Sequence, residues 1–435
     1  MKRWFLTMML LVLSLFSACG GGEEGPSYAF SALSGSLPVI DPATVDPALT
    51  GAAADAQRAF TADLYHHIVA LPGQDTENLV VSPYSIFSAF NLLYPGAAGH
   101  TEAAMRAGFF LEGPAADIFA GQGALDQTIR AHSTKRARLE VANASFLETT
   151  FPVYQDYLDT MTHYYGADLF TADFLNQPDF MRTEINRWVE DHTAGKIEDL
   201  LPPNSIGSNT WMVLVNAVYF NAKWKTTFED GTPMTFRGAA GDQPFTSMRV
   251  ELAEARLYDS AVPVGDDPPP ADRLQILAIP YQDEQFDMVL FLPDDFASFA
   301  ATVDGTSLGT LLAQTYQSQP GTVEVNMPEF TIKWGGPLYD LLTDMGLGPI
   351  FCDADPAADF SSMTSAVACV SAVFHQAFIE VNKKGTEAAA ATAIVVANNC
   401  AGPTVTPFTV DRPFLYAIVD RQTRTILFLG HTVHL

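Results

Sequence analysis

Basic side chains are scarce in this chain. Of 435 residues, 23 are Lys or Arg against 50 Asp or Glu, a formal charge of −27. Such a surface repels phosphate backbones, which sets nucleic acid aside as a partner. It steers basic proteins toward it and otherwise keeps the molecule soluble. Cysteine is scarce as well: Cys19, Cys352, Cys369 and Cys400 form no C-x-x-C and no Cys/His spacing of a zinc site. The nine histidines include no H-E-x-x-H pair. No metal and no cofactor are expected. Internal repeats are lacking, and the apolar run that follows Lys2 and Arg3 stops at Phe16, too short for a comfortable membrane span.

That short run has a different use. A basic start, an apolar stretch and the small residues Ser17 and Ala18 describe an export signal over residues 1–18. Gly20, Gly21, Gly22 and Pro26 then open a stretch rich in Gly, Ser and Pro, which predicts a flexible tether over residues 19–50. In an oxidising compartment Cys352 and Cys369, separated by a short loop-like stretch, are the favoured disulfide pair, leaving Cys400 as a free thiol.

Helical apolar spacing marks Asp55–Ala70, Ser85–Leu93 after Ser82-Pro83, and Ile185–Ala194 with Gly195 as its stop. Phe151–Phe170 reads as a loop followed by an amphipathic helix. Arg138–Leu147 alternates as a strand, and Trp211–Phe220 is apolar enough to be buried on both faces. Val323–Ile332, Ala377–Val381, Phe414–Val419 and Thr425–Leu429 are further strands, with a helix at Leu338–Met345. Asp266–Asp272 is a surface insertion. Helices early and strands later predict an α+β fold. Residues 51–435 exceed the usual domain size, and length alone would suggest two domains.

Gly305-Thr306-Ser307-Leu308-Gly309 matches the G-x-S-x-G of a hydrolase nucleophile elbow. That chemistry needs a strand before the serine. Here the preceding Phe296–Val303 is alanine-rich and helix-like, so the chain is read as a non-enzyme.

The most informative segment is Glu380–Val396, EVNKKGTEAAAATAIVV. Glu387–Ala391 favours helix, whereas Ile394, Val395 and Val396 favour strand. With period 2, one face is Thr386, Ala388, Ala390, Thr392, Ile394 and Val396, small and uncharged. Glu387, Ala389 and Ala391 start the other, and Gly385 provides a pivot without a Cβ. The segment can live as an exposed loop or enter a sheet as a strand. Insertion would add about a dozen ladder hydrogen bonds at roughly 0.5–1.5 kcal/mol each. That sum rivals a domain's whole stability of about 5–15 kcal/mol.

This hinge resembles that of the inhibitory serpins. Residues 78–101 (NLVVSPYSIFSAFNLLYPGAAGHT) and 185–228, with INRWVEDHTAGKIEDLLPP and WMVLVNAVYFNAKWKTTF, resemble the family's signature blocks. LAIPYQ, VLFLPDD, ADFSSMT, HQAFIEVN and DRPFLYAIVDRQTRTILFLGHTV follow in family order. The resemblance covers nearly all the chain after residue 55 and implies one serpin domain over 51–435. Helices would surround a large central mixed sheet, with further sheets and a reactive loop at about 385–410.

By resemblance the protein is a monomeric, irreversible suicide-substrate inhibitor of proteases. Its hinge is Gly385, Thr386, Glu387, Ala388, Ala389, Ala390, Ala391 and Thr392, and its reactive bond is Asn399–Cys400, within the window Val396–Gly402. Asn before the cut suits no trypsin-like pocket; cleavage nearer Val396 or Ala397 would suit an elastase-like or subtilisin-like protease, and a cysteine protease also fits. Ser82, Ser85, Asn216 and His375 fall where the family keeps a polar cluster beneath the sheet that opens. Phe-Ser-Ala-Cys resembles the bacterial lipoprotein site, which implies lipidation of Cys19 and anchorage to the cell envelope, at the outer membrane on its periplasmic or exterior side. One departure is Lys383, where the family commonly has Glu, and it predicts altered ion pairing at the top of the sheet. The alternatives are an ordinary cleaved signal at the N-terminus and, for function, a non-inhibitory serpin-fold binding protein of the cell surface.

Overall fold

The computed structural model describes residues 27–74, 76–166, 169–261, 272–386 and 404–435. The export signal, Cys19, hinge residues Glu387–Thr392, Asn399, Cys400 and nearly all of the Asp266–Asp272 insertion lie outside the described residues.

The first part of the chain is β1 (Ser31–Leu33), α1 (Pro47–Val69), β2 (Leu79–Val81), α2 (Pro83–Asn91), α3 (Gly99–Gly108) and α4 (Ala115–His132). β3 (Ala137–Glu148), α5 (Gln155–Thr160), β4 (Leu169–Ala172), α6 (Pro178–His192) and β5 (Met212–Lys223) follow. Next come β6 (Glu229–Gly238), β7 (Gly241–Asp259), β8 (Leu274–Pro280), β9 (Phe286–Pro293), α7 (Phe296–Thr302) and α8 (Gly305–Gln317). β10 (Pro320–Met327), β11 (Phe330–Pro337), α9 (Tyr339–Leu342), β12 (Ala372–Asn382) and β13 (Gly385–Thr386) lead to β14 (Val405–Thr409), β15 (Phe414–Asp420) and β16 (Ile426–Thr432).

Among the described residues the strands make two sheets. One has seven strands in the order β1-β4-β3-β5-β13-β12-β11; the other has nine, running β14-β10-β7-β8-β9-β15-β16-β2 with β6 beside β7. Val218 and Phe220 of β5 pack with Leu290, Tyr416 and Phe428 between the two sheets. α2 is buried along its whole length; Ser82 caps it by accepting the Ser85 N–H, and Pro83 sits where the first turn needs no donor. α6 covers the other face of the seven-stranded sheet. Its Met181, Ile185, Trp188 and Val189 recur at helical spacing and pack on Phe146, Val213, Val215 and Phe374. The α+β architecture expected from the sequence is the one observed.

Several elements differ from their sequence reading. Val323–Ile332 is two strands, because Pro328 supplies no N–H to a ladder. After the break the chain passes from the nine-stranded sheet into the seven-stranded one. α6 begins at Pro178, about two turns before Ile185, where the sequence reading starts it. The helix at Leu338–Met345 shortens to α9, followed by a turn in which Gly346 takes φ +82. The largest correction concerns the tether. Residues 27–46 run along the protein surface, and Ser31–Leu33 pairs antiparallel with β4 at the edge of the seven-stranded sheet. Polar composition hid the apolar contribution of Tyr28 and Phe30, whose rings stack 5.0 Å apart.

Candidate functional site

β5 and β12 meet in a short parallel ladder, from Ala372 opposite Val213 to Gln376 opposite Ala217. A polar cluster fastens this seam from beneath. Asn216 on β5 stands in register with His375 on β12. Its Oδ1 accepts from His375 Nδ1 and from Ser85 Oγ at 2.8 Å, and its Nδ2 donates to Asn143 Oδ1 at 2.7 Å. Ser82 N–H donates to His375 Nε2 at 3.3 Å, while Ser82 Oγ donates to the Leu427 carbonyl at 2.7 Å. All four predicted residues therefore form one network on a buried floor. Asn143 was not singled out from sequence. It sits opposite Asn216 on β3 and donates to the Ser85 carbonyl at 2.9 Å. Two asparagines in facing apolar strands were its available signal.

Burial lowers the His375 pKa to about 3, so the ring is neutral in the native protein. An unfolded histidine titrates near pH 6.5. Its contribution to stability is thus complete above about pH 6.5 and is lost as the pH falls toward 3. His431, buried beside Tyr65, is lowered to about 4 and acts in the same direction. Urea unfolding from pH 6 to 4 should show a slope that His375→Gln reduces by about 1.4 kcal/mol per pH unit, one proton's worth. An unchanged slope would remove His375 from the account.

Above Gln376 the seam parts, and the gap is occupied. A two-residue turn at Lys383-Lys384 sends the chain back, so that Gly385 and Thr386 lie between the separated strands. They pair with Asn382 and Val381 of β12 on one side, and with Lys223 and Ala222 of β5 on the other. Gly385 has φ +156, and a Cβ there would collide with the Ala222 carbonyl. Only glycine fits so close to a neighbouring backbone. Thr386 is buried, its Oγ1 hydrogen-bonded to Tyr281 OH at 2.6 Å. Tyr281 stacks on Trp224 with ring centroids 4.6 Å apart, and Trp224 Nε1 donates to the Asn382 carbonyl at 2.9 Å. Neither aromatic residue was singled out from sequence, although both lie inside the quoted blocks.

The altered ion pairing expected at Lys383 takes a definite form. Its ammonium lies 2.6 Å from Asp230 Oδ1, and its backbone N–H donates to Glu329 Oε1 at 3.1 Å. The Asp230 contact raises the lysine pKa. Carboxylates therefore face the reversed charge. Both partners are substantially exposed, so the pair contributes little to stability.

The remaining candidates separate cleanly. Ser307 is the N3 residue of a capping box on α8: its Oγ accepts from Asp304 N–H at 2.7 Å, and its N–H donates to Asp304 Oδ1 at 2.6 Å. A helix, α7, precedes it, and the strand-to-turn geometry of a nucleophile elbow is absent there. Cys352 and Cys369 are joined in a disulfide with Cα atoms 4.8 Å apart. Among the described residues no group of three or more His, Cys, Asp or Glu is arranged to hold a metal ion.

The divided sheet, the glycine in its mouth and the polar cluster beneath are built from segments whose sequence resembles one family. The model of that family, Serpin (serine protease inhibitor), matches residues 55–435. The chain belongs to the serpin family. An uncharacterised serpin-like protein of Methanosarcina mazei is 30% identical, aligning over 87% of this chain and 86% of its own length. Leukocyte elastase inhibitor A of Mus musculus is 33% identical, over 82% of this serpin and 92% of its own length. Among solved structures, the thermophilic serpin tengpin in its native state superposes with a TM-score of 0.76. It covers 93% of this chain and 100% of its own at 23% identity, a likeness of fold alone.

Proposed function

We propose that this serpin is an exported, lipid-anchored suicide-substrate inhibitor of proteases. A serine or cysteine nucleophile of the protease attacks the Asn399 carbonyl carbon, and the Cys400 nitrogen leaves with a proton as a new N-terminus. The protease is left as an ester or thioester of Asn399. The loop from Thr386 onward then enters the seam as a new strand and carries the acyl-enzyme with it before water can attack. Inhibition requires that insertion outrun deacylation.

The observation that carries this reading is the seating of Gly385 and Thr386 between β5 and β12. The first two positions of the incoming strand already have the register that the rest would continue. Small, uncharged Ala388, Ala390 and Thr392 leave that path free of bulk. A cut nearer Val396 or Ala397 would suit an elastase-like or subtilisin-like protease, and a relative of this serpin is named leukocyte elastase inhibitor A.

Limited cleavage of the loop by a protease that is not trapped should raise the unfolding midpoint by about 10 °C or more, as the new ladder forms. A cleaved chain that melts where the intact one does would refute insertion. The anchor has its own test: Cys19→Ser should move the protein from the membrane fraction to the soluble fraction, and retention in the membrane would refute lipidation.

A further inference from the structure

The turn between β15 and β16, residues 420–425, joins three helices to the nine-stranded sheet through charged groups. Toward α1, Arg58 Nη1 donates to the Thr423 and Arg424 carbonyls at 3.3 and 3.2 Å. Toward α4, the buried Asp420 places Oδ2 2.5 Å from Nδ1 of His132, the last residue of that helix. Its Oδ1 accepts from the Thr423 N–H at 2.8 Å. Toward β9, Arg421 Nε lies 3.1 Å from Asp287 Oδ2. Arg421 Nη1 lies 3.1 Å from Glu284 Oε2, and Lys225 holds the other oxygen of Glu284 at 2.7 Å. Toward α8, the Arg424 guanidinium lies 3.5 Å from the Tyr316 ring centroid, and Tyr316 OH donates to Asp287 Oδ2 at 2.7 Å.

Asp287 is only 1% exposed, and both of its donors converge on Oδ2. Oδ1 is buried with no hydrogen-bond partner among the described residues. A charged oxygen taken out of water with nothing to meet it is costly, and a proton removes that charge. Burial accordingly raises the Asp287 pKa to about 6 against the pull of Arg421, Tyr316 and Arg424, and Glu284 adds to the rise. His132 also binds its proton more firmly in place. The bond to Asp420 raises its pKa against partial burial, with Gln422 adding to the rise, and the C-terminal end of a helix favours a cation.

We infer that this turn is an acid-strengthened clasp, which binds α4 and α8 to the nine-stranded sheet more firmly as Asp287 and His132 take up protons. Opening the turn to water returns Asp287 to an ordinary carboxylate pKa near 4. Closure therefore takes up a proton between about pH 4 and 6, and it becomes more favourable as the pH falls through 6. An opened His132 titrates near pH 6.5; its share is complete below that value and is lost as the pH rises through the raised one. The seam responds in the opposite sense, because buried His375 stays neutral. His431, farther along β16 against Tyr65 of α1, responds as His375 does. Acid thus weakens the polar cluster under the seam in the same range in which it tightens the frame around it. The clasp holds whether or not the chain traps a protease.

Hydrogen exchange of the full chain at about pH 7.5 and about pH 5, with each rate divided by its intrinsic value at that pH, tests the clasp without a protease. Amides in the last turn of α8 should gain about tenfold in protection at the lower pH. Those in the last turn of α4 should gain as well, while those of β12 beside His375 should lose protection. In Asp287→Asn, whose side chain is neutral at both pH values, the gain in α8 should vanish. Protection in α8 that stays flat or falls in the unmodified protein would overturn the inference, as would a gain that survives Asp287→Asn. Should that variant fail to fold, His132→Gln should abolish the gain in α4 and leave that in α8; a gain in α4 that persists would overturn the inference equally.

Discussion

Thr386→Arg is expected to turn the protein from inhibitor into substrate. Thr386 is enclosed between Ala222 of β5 and Val381 of β12, and its hydroxyl bonds the buried Tyr281. A guanidinium at this position must leave water or hold the strand out of the sheet. Burying an unpaired charge costs several kcal/mol, and about 1.4 kcal/mol added to the barrier slows insertion tenfold. Deacylation, which takes place on the protease, keeps its rate. The fraction of protease held in a stable complex should therefore fall by tenfold or more, while loop cleavage continues at an undiminished rate. Quantifying complex and cleaved product by gel gives both numbers at once. Undiminished trapping would show that the strand does not enter through this gap.

Asn216→Ala should destabilise the native fold by about 3 kcal/mol or more, read by urea unfolding at pH 7.5. The substitution leaves the His375 Nδ1–H, the Ser85 hydroxyl and the Asn143 carbonyl oxygen without their partner. Each buried polar group so orphaned costs roughly 1–3 kcal/mol, and a void adds to it. Because the lost bonds span β5, β12, β3 and α2, the seam should also open more readily. A loss below about 1 kcal/mol would mean that the network is not what fastens the two strands.

The legible parts of this molecule are those in which local chemistry and fold agree. The apolar run of β5 announced a strand buried on both faces, and Ser82-Pro83 announced the start of α2. The polar cluster was legible only through the family blocks around it, since a lone His375 in an apolar strand has no local signature of a partner. Asn143, Tyr281 and Trp224 escaped because their roles arise from register across strands, which sequence spacing does not encode. Val323–Ile332 misled because its alternation continues through Pro328, while the missing N–H splits the ladder between sheets. Residues 27–46 misled in the other direction. Their Gly, Ser and Pro content reads as tether, yet Tyr28 and Phe30 find an aromatic shelf on Phe146 and Phe170 that exists only once the sheet is built.

The central claim is that a protease which cuts the loop is caught by it. Incubation of the protein with a panel of serine and cysteine proteases, followed by denaturing non-reducing gels and intact mass, tests that claim most directly. The account predicts a stable band near the summed masses with a released C-terminal peptide that begins at Cys400. Clean loop cleavage by every protease, with none retained, would contradict it.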